Sequence, residues 1–182
     1  MHDLLPNIQS ALSTSLPRLG LSHLLTIDGP TGAGKTSLAK TLADSFEDSL
    51  ILHMDDLYAG WENALNDELF ERIIGQIMNP VVLGEPLNYQ VFNWYTYQFD
   101  TWRSEPAPSL LILEGVGASH SYLREWISYS IFIDVDDARG LERVKARDGD
   151  VVAGFIPAWQ RMQSAYFQEQ DPKSFANLVL EN

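Results

Sequence analysis

The most specific chemistry in the chain sits in nine residues, Gly29-Pro30-Thr31-Gly32-Ala33-Gly34-Lys35-Thr36-Ser37. Gly29, four intervening residues and then Gly34-Lys35-Thr36 match the phosphate-binding P-loop pattern without departure. Small residues let successive backbone N–H groups curl around an anion, and the helix that follows points its N-terminus at the same place. In this arrangement Lys35 reaches the terminal phosphates of a nucleoside triphosphate and the Thr36 hydroxyl ligates Mg²⁺. The second stretch is HMDDLYAGW, residues 53–61, where Asp55 and Asp56 directly follow an apolar run. A carboxylate there can accept the proton of a hydroxyl and orient its oxygen for attack on a phosphoryl group. An enzyme phosphorylating another phosphate needs several arginines instead. From Asp56 to Ser109 the cations are Arg72 and Arg103, against eight carboxylates, so the expected acceptor is a neutral hydroxyl compound. The third stretch is basic. Arg139, Arg143 and Arg147 are four residues apart and form one stripe on a helix, where guanidinium groups can stabilise a transferring phosphoryl group.

These residues need a scaffold, and the chain spells one. HLLTID (23–28) is a short apolar run ending at Gly29, followed by TSLAKTLADSF at helical spacing. LILHM (50–54), LLILE (110–114), IFIDV (131–135) and ANLVL (176–180) read as four further strands. Helices are expected at the N-terminus (LPNIQSALSTSL), over DARGLERVKARD and from about 157 to 170. Buried strands alternating with helices imply an α/β fold with a parallel sheet covered on both faces. Residues 58–108 break the rhythm. A helix is expected over Asp67–Met78, then a tail rich in Trp, Tyr, Asn and Pro with weak periodicity, read as an acceptor-binding insertion. Trp61 and Trp94 are the expected stacking residues, whereas Trp102, Trp126 and Trp159 are expected to pack in the core or lid.

The bulk properties narrow the class. A chain of 182 residues is most simply one domain, residues 1–182. Twelve cations against 25 anions give a net charge of −13, which disfavours nucleic acid and anionic membrane surfaces as partners. Four of those cations, Arg139, Arg143, Lys145 and Arg147, fall within nine residues. There is no cysteine, and no apolar run of membrane-spanning length, so the expected location is the cytoplasm. A homo-oligomer is left open. The guanine-specificity loop of GTP-timing proteins and the signature of ABC-type ATPases are both absent. The D-x-x-G match at Asp137–Gly140 runs into a helix and reads as coincidence.

Together, DGPTGAGKTSLA, Asp-Asp-Leu-Tyr after the second strand, LILEG and IFIDVDDARGLERVKARD resemble the uridine kinase-like P-loop kinases, the group that includes phosphoribulokinase and pantothenate kinase. The resemblance implies a three-layer sandwich with a five-stranded parallel sheet in the order 2-3-1-4-5, and ATP and Mg²⁺ as co-substrate and metal. It places Asp55 on the family's catalytic carboxylate, Tyr58 on the accompanying tyrosine, Glu114 on the metal-organising acid and Arg143 and Arg147 on the arginines of a lid spanning about 137–157. Tyr89 falls in the family's acceptor-recognition run, but the histidine that nucleoside-specific members carry is missing from Tyr89-Gln90-Val91-Phe92-Asn93-Trp94. The expected activity is transfer of the ATP γ-phosphate to a hydroxyl of a small metabolite. The alternatives are an antibiotic- or sugar-nucleotide-type phosphotransferase and a non-catalytic nucleotide-sensing module.

Overall fold

A computed structural model describes residues 4–62, 64–149 and 154–182. In chain order the elements are α1 (Leu4–Thr14), β1 (His23–Asp28), α2 (Lys35–Ala43), β2 (Ser49–His53), α3 (Asp67–Ile73), α4 (Asn79–Val82), β3 (Leu87–Asn93), β4 (Gln98–Glu105), β5 (Leu110–Glu114), β6 (Ile127–Asp134), α5 (Asp137–Asp148), α6 (Ile156–Gln170), α7 (Pro172–Phe175) and β7 (Leu178–Glu181). Five strands form one parallel sheet ordered β2-β5-β1-β6-β7. The expectation of 2-3-1-4-5 counted five strands in the chain. The described residues form seven, and the antiparallel pair β3–β4 takes the third and fourth numbers.

The sheet is covered on both faces because its strands alternate between two cores. Leu25 and Ile27 of β1 and Leu110 and Ile112 of β5 face a cluster completed by Ile8 and Leu12 of α1 and Ala39 and Leu42 of α2. Leu24, Leu111 and Leu113 point the other way, into a larger cluster with Phe70, Ile73, Ile77, Trp159 and Tyr166. The two-residue period of a strand dictates this division. In α1, Ile8 and Leu12 are one turn apart and bury together, which fixes the face the helix presents.

Residues 58–108 depart from the expectation of an irregular tail. The helix expected over Asp67–Met78 begins at Asn66, whose side chain accepts from the Leu69 N–H. It continues through a π turn (Ile74–Met78) into α4. There Gln76 turns toward β3 and accepts the Gln90 N–H at 2.9 Å. The aromatic tail is a hairpin. Leu87, Tyr89 and Val91 alternate inward on β3, but a register shift between Val91 and Phe92 breaks the period, and β4 is mostly exposed, so neither strand shows a long pattern. Trp102, expected to pack internally, is 61% exposed on β4. Among the described residues no helix is long and apolar enough to cross a membrane.

Candidate active site

Parallel strands deliver their carboxyl ends to one edge, and the sheet order decides who meets whom there. Ile27 of β1 and His53 of β2 are both register partners of Glu114 on the intervening β5. Glu114 is thereby set between β2 and the P-loop that leaves β1. Its Oε1 accepts the Thr36 hydroxyl at 2.9 Å and His53 Nδ1 at 2.5 Å. The bond to Glu114 raises the pKa of His53, against the opposing effect of burial. His53 is thus part of this cluster. Among the described residues no group of three or more His, Cys, Asp or Glu side chains forms a metal cage. The Thr36 hydroxyl and Glu114 carboxylate are hard oxygen donors of the kind Mg²⁺ takes one or two at a time, alongside water and phosphate oxygens, so the residues present fit that ion.

The loop from Gly29 to Gly34 is shaped by close backbone contacts. A Cβ on Gly32, which has φ of 81°, would lie 2.2 Å from the Gly140 carbonyl oxygen, and one on Gly29 would lie 2.3 Å from that of Ile133. Lys35 is buried and donates to the Gly29 and Pro30 carbonyls at 2.8 Å each. Gly34 adopts a left-handed conformation and starts α2, with Lys35, Thr36 and Ser37 in its first turn. Ala33 is buried, and its carbonyl accepts from the Asn182 side chain.

Behind the loop lies Asp28, an acid the sequence reading passed over as a strand end. It is fully buried, and its carboxylate accepts from the Gly29 and Ser119 N–H groups and from the Tyr166 hydroxyl at 2.7 Å. Burial raises its pKa, and the hydrogen bonds and Lys35 oppose that rise. Asp28 therefore ties the start of the P-loop to the turn after β5 and to α6. The same helix grips the loop a second time. Gln163 Oε1 accepts both the N–H and the hydroxyl of Thr31, and Trp159 Nε1 donates to that hydroxyl at 2.7 Å. Trp159, Gln163 and Tyr166 are the buried residues of α6, spaced by four and three. That stripe was legible in the sequence, but a helical period does not name what the stripe touches.

A cleft of about 970 Å³ opens in front of the loop. Thr31, Gly32, Gly34, Lys35, Thr36, Ser37 and Glu114 line its phosphate end. Asp55, Tyr58, Trp61 and Trp94 line the other, so most of the residues expected in the site share one cavity. Asp55 faces it, whereas Asp56 pairs with Arg103 of the hairpin at 3.3 Å. Tyr58 is buried and donates to the Val116 carbonyl at 2.6 Å, and burial pushes its pKa well up. Tyr89 is not among the lining residues: it is buried in β3 with its hydroxyl bonded to Arg103. Arg143 lines the cleft and donates to the Gly32 carbonyl at 3.2 Å. The Arg147 side chain lies outside the described residues. Arg139 is exposed, and Asp136 caps α5 by accepting the Ala138 N–H. Trp159 and Phe155 also line the cleft, a placement their sequence context did not signal.

This arrangement, a P-loop between β1 and α2 with an acid at the end of the neighbouring β5 and residues of α5 and α6 lining the cleft, has a fold similar to that of uridine kinase-like P-loop kinases. The structural comparisons agree. The chain is similar to the structure of a possible uridine kinase from Bacillus stearothermophilus (TM-score 0.63, 18% identity), covering 96% of this chain and 99% of that one. It is also similar to a "putative fructose transport system kinase" from Silicibacter sp. TM1040 (TM-score 0.60, 17% identity), with 97% of each chain covered. No protein-family profile matches the sequence, and no curated protein matches it.

Proposed function

We propose that this protein is an ATP-dependent kinase that transfers the γ-phosphate to a hydroxyl group of a small, uncharged acceptor. The observation that carries this reading is the placement of Asp55 in the same cleft as Lys35, Thr36 and Glu114, with Asp56 turned away to Arg103. The loop amides and Lys35 hold the donor phosphates, the ammonium exchanging its loop carbonyls for phosphate oxygens. Thr36 and Glu114 hold Mg²⁺, which when bound offsets negative charge on the phosphates. Asp55 accepts the hydroxyl proton and aims the oxygen. Arg143, already at the loop, supplies positive charge to the transferring group, with Arg147 one helical turn further on. Such a protein works where ATP is abundant, in the cytoplasm.

The test is ADP release from Mg-ATP with a panel of alcohols, comparing the parent with Asp55→Asn. The expected result is acceptor-stimulated turnover that falls by roughly 10²-fold or more in the variant while ATP affinity stays the same. Equal turnover in the two proteins removes Asp55 from the mechanism. Tight nucleotide binding with no acceptor-stimulated ADP from any alcohol identifies a sensing module instead.

A further inference from the structure

The acceptor end of the cleft is built largely from aromatic rings, and the polar atoms of Tyr58, Trp94 and Trp159 are already spent on the protein. Tyr58 donates its hydroxyl hydrogen to the Val116 carbonyl. Trp94 Nε1 donates to the Asp55 backbone carbonyl at 3.0 Å, and Trp159 Nε1 donates to the Thr31 hydroxyl. The Tyr97 hydroxyl accepts the Trp61 backbone N–H at 3.1 Å. What Tyr58, Trp94 and Trp159 turn to the cleft is aromatic carbon. The rings meet at steep angles, Trp61 with Trp159 at 86° and with Trp94 at 54°, while Phe155 stacks on Trp61 at 8°. Faces and edges are therefore both on offer, the complement another aromatic ring prefers.

The charges point the same way. Arg103 is paired with Asp56, and Arg72 donates to the Leu57 carbonyl while lying over the Phe99 ring. Among the described residues the cations lining the cleft are Lys35 and Arg143, both at the phosphate end. Among the described residues an anionic acceptor finds no cation at the aromatic end. A polyhydroxylated one fares little better, because each hydroxyl desolvated there without a partner weakens binding roughly ten-fold. Among the described residues Asp55, Gln160, the Trp61 indole and the Tyr95 and Tyr97 hydroxyls are the polar groups lining this end beside the committed Gln163, few against its aromatic surface.

We propose that the acceptor is an alcohol with an apolar, ring-bearing body, whose hydroxyl is the only strongly hydrogen-bonding group it places in the aromatic end of the cleft. This rests on the kinase reading above and names its substrate class. The experiment measures kcat/KM at saturating Mg-ATP for benzyl alcohol and 2-phenylethanol against fructose and uridine. The expected result is at least a ten-fold preference for the phenyl alcohols, and a ten-fold or larger rise in their KM in Trp61→Ala with the ADP dissociation constant unchanged. Fructose or uridine used as well as the phenyl alcohols overturns the substrate class and leaves the kinase reading standing. Turnover with no acceptor overturns the kinase reading itself. In that event calorimetric titration of the ADP-saturated protein with 2-phenylethanol decides the ligand class separately: saturable binding that Trp61→Ala abolishes supports it, and absence of binding overturns it.

Discussion

The two ends of the cleft are built by different physical means. The phosphate end is made of backbone: glycines at positive φ, N–H groups in a curl, and carbonyls that hold Lys35 at 2.8 Å. The acceptor end is made of side chains brought from Asp55–Trp61, the tip of the β3–β4 hairpin and α6. Phosphate is the same in every nucleotide, so the geometry that holds it reduces to a fixed spacing of small residues. An acceptor is read by shape, and shape here comes from elements about 100 residues apart that meet only after folding, such as Trp61 and Phe155 at 5.2 Å between centroids.

The largest way to break this contrast is Lys35→Met. It removes the one ammonium buried in the phosphate end, and turnover is expected to fall by roughly 10³-fold with the aromatic end unchanged. Steady-state kinetics with a retained melting temperature checks it. Gly32→Ala tests whether the backbone end tolerates any side chain. Its Cβ would overlap the Gly140 carbonyl, and unfolding in denaturant is expected to show a loss of about 2–4 kcal/mol together with weakened nucleotide binding.

His120 lies outside the cleft, packed on core residues that line neither end. It stacks on Phe70 at 3.9 Å and over Tyr166, and burial followed by the charge of Arg124 lowers its pKa to about 4. The folded protein keeps this imidazole neutral while the unfolded chain takes up a proton near pH 6.5. Its contribution is therefore complete above pH 6.5 and is lost as the pH falls toward 4, by up to about 3 kcal/mol. Denaturation at pH 7, 5.5 and 4.5 reads the slope, which His120→Gln should flatten. The smallest effect is expected from Trp94→Phe, which keeps a ring but drops the bond to the Asp55 carbonyl. Stability should change by about 1 kcal/mol, and the acceptor KM should rise while the ATP KM holds.

The same contrast explains what was legible beforehand. The P-loop, the five parallel strands and the acid at the end of β5 could be read because each is a local pattern with a local cause. The hairpin could not, since its one regular strand is interrupted at Val91–Phe92 and its partner faces solvent. Residue type alone did not separate Asp55 from Asp56; the resemblance chose Asp55, and its place in the cleft with Asp56 paired to Arg103, 47 residues away, gives the physical reason. His53, Asp28 and Gln163 were missed for a related reason. Each is a polar residue at the end of a strand or on the face of a helix, and its role lies in a partner contributed by a distant segment.

One contact carries a consequence for descent. The Gly140 carbonyl sits where a side chain at Gly32 would begin, and a Cβ on Gly140 would lie 2.6 Å from the Thr31 carbonyl. The P-loop and the helix that carries Arg143 are seated glycine on glycine. Neither position can accept a larger residue unless the helix moves, and moving the helix takes Arg143 away from the loop. The two glycines, 108 residues apart, are in effect one inherited character: a lineage that loses either must rebuild its arginine from somewhere else.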